Sequence, residues 1–359
     1  MTGIRECPLP GGAAGAKPGT VIVLPEVPRR APARATGLGA AVALGLAATV
    51  AGTLVPVVGA PVFAVVAGLL LSPLARRRSA ALEPGLGLAR GVLLQVSVVL
   101  LGARLSLGEV LSVGADSLPV MLGTLGVCLL AAWWVGRRLG VTRDLRTLIG
   151  VGTAICGVSA IAATTPAIRA RSHDVAYAIS TIFLFNVAAV LAFPPLGHAL
   201  GLSPQEFGLF AGTAVNDTSS VVAAAGAYDQ DTVGYAVVVK LARTLMIIPV
   251  VLVLTALTRR RADLPATSRA RLAASLVPWF LVAFLVVAAL NTGGLIPATA
   301  QAALQQVALL LVAVALAAVG LGTDVPALRR AGARPLLLGL VLWVVVGTTS
   351  LGLQHLLTR

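Results

Sequence analysis

Eleven apolar runs, each near the length a bilayer demands, follow one another through this chain. They lie at 37–57, 60–75, 86–103, 118–136, 147–165, 175–197, 206–227, 232–257, 275–291, 301–321 and 335–356. A helix needs about 20 apolar residues to cross the hydrocarbon core, and inside lipid every backbone polar group must be satisfied within the structure. Runs of this kind leave one fold class, an all-α polytopic membrane protein. Composition agrees: 58% of 359 residues are hydrophobic, 11% are charged, and mean hydropathy is +0.96. A soluble domain carries about 25% charged residues.

The formal net charge of +14 comes from arginines in short runs between the apolar segments. No basic face with interleaved aromatics occurs, so nucleic acid is not an expected partner; the pattern is that of positive charge retained in the cytoplasm. Arg76 to Arg78 form one cluster, and Arg137, Arg138, Arg143 and Arg146 a second. Arg259 to Arg261 with Arg269 and Arg271 make a third, and Arg329, Arg330 and Arg334 a fourth. With the amino terminus inside, alternation puts all of these in the cytoplasm, while the loops at 56–60, 228–231 and 291–300 hold no Arg or Lys. The expectation is about 11 spans, a cytoplasmic amino terminus and an outside carboxyl terminus. Arg169 and Arg171 disagree, because they would lie outside. If 147–165 and 206–227 re-enter from opposite faces, leaving nine spans, both arginines return to the cytoplasm. Broken full-length helices satisfy the sequence equally.

Residues 1–36 are rich in Pro, Gly and Ala, and their apolar stretch Thr20–Leu24 is too short for a signal-peptide core. They read as a disordered cytosolic tail, with 37–357 as a single transmembrane transport domain. Cys7, Cys128 and Cys156 form no CxxC and no His/Cys cluster, so neither a disulfide framework nor a metal site is expected. No Walker loop occurs, which argues against an ATP-driven pump. No cofactor is expected.

Two of the runs are unusually polar. Gly212-Thr213-Ala214-Val215-Asn216-Asp217-Thr218-Ser219-Ser220 sits inside one; Gly152-Thr153-Ala154-Ile155-Cys156-Gly157-Val158-Ser159 sits 60 residues earlier in another. They share Gly-Thr-Ala and a later Ser in register. Paired, Gly-interrupted polar segments point to a transporter's central site. A second self-similarity, at an offset of 218, relates Gly102–Ala115 to Gly320–Ala333. An odd number of crossings separates these copies, so they are inverted, and an inverted repeat is expected. The two offsets do not belong to one simple duplication.

Lys240 and Arg243 lie about seven and ten residues into the 232–257 run, on one helix face and near the midplane. Intramembrane charges are functional by default. Two cations against Asp217 leave a surplus positive charge, which suits an anion. The expected scheme holds a doubly charged oxyanion with Lys240, Arg243, the Ser219 and Ser220 hydroxyls, Ser159 and backbone amides near Gly157. Asn216 lies beside it, and Asp217 pairs with Lys240 in the empty site. Asn186 reads as a helix–helix hydrogen bond, Cys156 as a small packed hydrophobe, and Gly87 with Gly91 as a GxxxG packing motif.

The block at 152–163, then Asp174-Val175-Ala176-Tyr177-Ala178-Ile179, resembles the YeiH-type bacterial inner-membrane family. So do Phe210-Ala211-Gly212-Thr213 with Asp217, Val221-Val222-Ala223-Ala224, and Val239-Lys240-Leu241-Ala242-Arg243. The resemblance runs from about residue 40 to the end. Family members commonly carry His where this chain has Asn216, followed by an acid. The family's label of sulfate export implies an anion carrier.

The function expected is therefore secondary transport of a small inorganic or organic anion, sulfate or sulfite among them. Coupled protons or sodium, the lipid bilayer and a second copy of the chain are admitted as partners. The alternative is a cation/proton antiporter using Asn216 and Asp217 with Lys240 as counter-ion. More distant is a membrane-embedded enzyme using Ser219 or Ser220 with Lys240 as base; the chain is not expected to be an enzyme.

Overall fold

A computed structural model of the chain describes residues 31–54, 59–258, 277–323 and 333–357. These are helical apart from short turns, with no strand among them. In order come α1 (Ala31–Leu54), α2 (Gly59–Arg76), α3 (Ser79–Leu88), a π-helical turn (Ala89–Leu93), α4 (Leu94–Leu101) and a 3₁₀ turn (Gly102–Arg104). α5 (Leu107–Arg138), α6 (Arg143–Ala154), α7 (Val158–Ile168) and α8 (Ser172–Ala199) follow. Then come α9 (Pro204–Ala214), α10 (Thr218–Tyr228), α11 (Thr232–Leu245) and α12 (Ile247–Thr258). The last three are α13 (Trp279–Thr292), α14 (Ala298–Leu321) and α15 (Ala333–Leu357).

Seven helical stretches are long and apolar enough to cross a membrane: Arg34–Gly52, Ala81–Arg104, Leu107–Arg138, Ser172–Ala199, Thr232–Thr255, Ala298–Leu321 and Ala333–Leu357. The protein is a polytopic helical membrane protein. The tail expected over 1–36 falls outside the described residues up to 30, and its boundary is corrected, since α1 already includes 31–36. Pro32 costs little in a first turn, where its missing N–H has no partner to lose.

The two polar runs are helical hairpins. α9 runs parallel to α11: a Cβ on Gly208 would lie 2.9 Å from Tyr235, and one on Gly212 would lie 2.7 Å from Val239. α10 runs antiparallel to the same helix, with Gly226 beside Val233. The arms α9 and α10 therefore fold back on each other, and Tyr228 at the end of α10 stacks on Phe207 at the start of α9, ring centroids 3.9 Å apart. A capping box at Ser203 and Glu206 starts this hairpin, while Thr213 Oγ1 lies 2.6 Å from Ser350 Oγ on α15. In the first hairpin, α6 runs antiparallel to α5, Gly136 beside Arg146 and Gly150 beside Ala132. The chain then turns, and the Ile161 side chain on α7 comes back against Gly152. Each arm is 11 or 12 residues, about 17 Å at 1.5 Å per residue, half of a ~30 Å hydrocarbon core.

Gly157 makes the first turn. Its φ of 65° and ψ of −125° lie where an L-residue is strained. The hairpins point in opposite directions. α15 fixes this: its start packs near the end of α5, with Arg334 beside Gly140, and its far end carries Gln354, bonded to Ser350, which bonds Thr213 of α9.

The helices gather into two bundles. One holds α1 to α4 with α13 and α14, and is closed by backbone-to-backbone contact: a Cβ on Gly320 would lie 2.6 Å from the Val65 carbonyl and 2.8 Å from Gly68 Cα. Small residues are what allow such approach where no hydrophobic force draws helices together. The other holds α5 to α12 with α15, and encloses both hairpins.

Candidate functional site between the hairpin tips

The breaks at 155–157 and 215–217 create four helix ends, each with orphan backbone groups. The C-terminal ends of α6 and α9 are met by the two buried cations. Lys240 Nζ donates to the Ile155 carbonyl at 2.7 Å and to the Val215 carbonyl at 2.9 Å. Arg243 donates from Nε to Ala154 O at 2.7 Å and from Nη2 to Thr153 O at 2.8 Å, with Nη1 3.5 Å from Val215 O. Both side chains are 0% exposed. Cations at helix C-termini are favoured by the helix dipole, and here one pair neutralises two ends at once. α11 thereby ties the hairpin tips together.

This corrects the expected pairing of Lys240 with Asp217. Among the described residues Asp217 makes no ion pair; its carboxylate takes hydrogen bonds instead. Asn186 Nδ2 and Ser219 Oγ donate to it, as do Ser220 N and Ser220 Oγ, both at 2.9 Å. Four donors fill its usual acceptor capacity. Asp217 is the N-cap of α10, a position that favours a short carboxylate. The lysine is drawn away because the carbonyl ends of two half-helices would otherwise be buried without donors, at about 1–3 kcal/mol each.

Asn186 joins α8 to the second tip, giving Nδ2 to Asp217 and accepting the Asn216 amide at Oδ1, 3.1 Å. Asn216 is 1% exposed and its own Oδ1 has no partner among the described residues. The Gly157 amide is also not free for an anion, since it donates to Gly152 O at 2.9 Å. At the start of α7 no N-cap side chain meets the next amides, and that of Ala160 lies against the Cys156 thiol.

A cavity of about 660 Å³ opens between the bundles against the N-terminal ends of α7 and α10. Ser159, Asp217, Thr218 and Ser219 line it from the tips, with Cys156 beside them. Lys240, Arg243, Asn216 and Ser220 do not: they lie behind the tips, and the expectation that both cations touch a bound anion is corrected accordingly. Cys156 is buried, as expected of a packed thiol. The opposite wall comes from the first bundle and includes Arg90, Gln95 and Thr323. Gly87 and Gly91 are on this wall, with nothing within 4 Å of a Cβ at either, so they open the cavity where a helix-packing motif was expected. Gly91 lies within the π-helical turn and Gly87 just before it, and such turns are frequent at functional sites. Arg90 was passed over in the sequence, although a lone charge inside an apolar run was the signal that could have found it.

A family profile described as conserved hypothetical protein 698 matches residues 36–339. A UPF0324 membrane protein of Streptococcus pyogenes serotype M3 is 40% identical over 326 residues, covering 89% of this chain and 96% of the relative. One from Streptococcus pneumoniae is 41% identical over 309 residues, 84% of this chain and 91% of the relative. One from Streptococcus mutans is 38% identical over 332 residues, 90% and 97%. No solved structure matches the chain.

Proposed function

The chain belongs to the family described as conserved hypothetical protein 698, membrane proteins of the YeiH type, and we propose that it is a secondary transporter of small anions. The observation that carries this reading is the polarity of the breaks. Two half-helix N-termini, those of α7 and α10, open on one cavity, while the matching C-termini are neutralised behind it by Lys240 and Arg243. The start of α7, which has no side-chain cap, attracts an anion through backbone amides and the dipole, while at α10, where Asp217 already takes the Ser220 amide, the dipole alone contributes. Half-helix ends at the midplane are also how known carriers hold charged solutes.

In this reading the chain has nine spans, the seven long helices plus α2 and α13, and two re-entrant hairpins. The arginine clusters, with Arg169 and Arg171, then fall on the cytoplasmic side of the inner membrane, Arg104 falls outside, and Arg90 and Arg243 lie within the bilayer. The cavity lies between the tips and that face, so this is a cytoplasm-open form.

The inverted repeat finds support in the packing. α5 lies along α6 as α15 lies along α9, and α8 lies along α6 as α11 lies along α9. One unit is then α2, α3–α4, α5, the first hairpin and α8. The other is α13, α14, α15, the second hairpin and α11–α12, with its last two members placed first in the chain. A permuted repeat accounts for the two offsets: 60 relates the hairpins, and 218 relates the corner after α4 to the corner after α14.

Cation/proton antiport through Asn216 and Asp217 is opposed by the four donors already on Asp217, which a cation would have to displace. An enzyme would need Lys240 to reach Ser219 or Ser220 as a base, whereas its ammonium is held behind the tips by the Ile155 and Val215 carbonyls. The test is counterflow in proteoliposomes holding the purified chain. Anion-dependent exchange without a sodium requirement supports the reading; sodium-driven proton movement with no anion present would overturn it.

A further inference from the structure

The walls of the cavity differ in chemistry. On the hairpin side, the hydroxyls of Ser159, Thr218 and, on α8, Ser180 line it with no hydrogen-bond partner in the protein among the described residues. Across the rest run apolar side chains, Leu94, Val98, Phe183 and Phe280 among them. One half-exposed cation stands in this wall. Arg90 Nη2 donates to Glu83 Oε1, and its guanidinium is seated against Gly322, where a Cβ would meet Nη1 at 2.6 Å. Its side chain is 37% exposed and that of Glu83 51%, so the pair is open to competition.

A bare tetrahedral oxyanion fills on the order of 100 Å³, counting about three water volumes of ~30 Å³. The cavity is about 660 Å³, within the range of roughly 300–1,000 Å³ found for organic ligands. Nor would an inorganic oxyanion have any use for a wall of phenylalanine, leucine and valine. We propose that the substrate is a small organic anion, a carboxylate or sulfonate on an apolar body, and that Arg90 joins the hairpin tips as a ligand of its acid group. Glu83 holds the guanidinium until substrate displaces it. A planar guanidinium suits this exchange, since it binds carboxylates and sulfonates in the same forked geometry. The inference rests on the anion-transport reading and narrows its substrate class.

Isothermal titration of the purified full chain with sulfate, methanesulfonate, butanesulfonate and butyrate tests it. Affinity should rise about tenfold or more from methanesulfonate to butanesulfonate, as the added methylenes are buried. Arg90→Gln should weaken both sulfonates about tenfold or more, with Arg90→Lys recovering part of the loss. Glu83→Gln should tighten binding severalfold, a direction that a merely structural ion pair would not give. Equal affinity for the two sulfonates, or sulfate bound as well as butanesulfonate, overturns the organic substrate and leaves anion transport standing. Unchanged binding in both Arg90→Gln and Glu83→Gln overturns the role of Arg90. If no anion of either kind binds, the transport reading itself falls.

Discussion

Lys240 reaches two carbonyls that belong to different hairpins, and that makes it a structural cation before it is anything else. Lys240→Met keeps most of the apolar stem while removing both bonds to Ile155 and Val215. Each buried carbonyl left without a donor costs about 1–3 kcal/mol, so the unfolding temperature of the purified protein in detergent should fall clearly. An unchanged midpoint would mean that the carbonyls find other donors. Asn186→Leu strips a donor from Asp217 and the acceptor from the Asn216 amide, and should also destabilise, by about 1–3 kcal/mol. The sequence showed that these residues matter because charge inside an apolar run is conspicuous. It did not show their partners. Opposite formal charges suggested Lys240 with Asp217, whereas the strongest local demand came from main-chain carbonyls, which no letter in the sequence marks. Ser219, Ser220 and Asn186 satisfy Asp217 by the same logic.

At the scale of elements, the hairpins depend on their turns. Gly157→Ala forces a Cβ onto a backbone conformation worth about 1–3 kcal/mol of strain, and puts it 3.3 Å from Asp217 Cβ. Counterflow should be lost while the protein still reaches the membrane; full activity in this variant would show that the turn relaxes freely. Gly320→Val strikes a different element, the contact of α14 with α2, and should reduce the yield of folded protein seen by size-exclusion chromatography. The apolar runs were legible because length and hydropathy are local properties. Whether 147–165 and 206–227 cross or turn back was not, since it depends on Ile161 meeting Gly152 and Tyr228 meeting Phe207. The arginines at 169 and 171 were the one local clue. The π-helical turn at Ala89–Leu93 left no such trace, nor did the early start of α1.

For the whole molecule, the nine crossings proposed above would put the two ends on opposite sides. Reporter fusions at Leu24 and after Arg359 should give opposite signals, and matching signals would remove the nine-span scheme. Transport by this architecture also requires the two bundles to move against each other, because the cavity lies between them. α2 and α10 meet across that boundary, where a Cβ on Gly226 would lie 3.6 Å from Pro61. Cysteines placed at 61 and 226 should cross-link on oxidation, block counterflow, and restore it on reduction; normal transport while cross-linked would place the motion elsewhere.

Lys240 stands 85 residues after the Ile155 carbonyl it satisfies. A ribosome adding about 5–20 residues per second needs roughly 4–17 seconds to cover that stretch. Through this interval the first hairpin has been made but its donor has not, and bare carbonyls at membrane depth are costly. The nascent hairpin should therefore wait near the membrane surface or against the insertion machinery, and settle only when α11 arrives. Its burial should then be a late step in biogenesis, set by a residue that the hairpin itself does not contain.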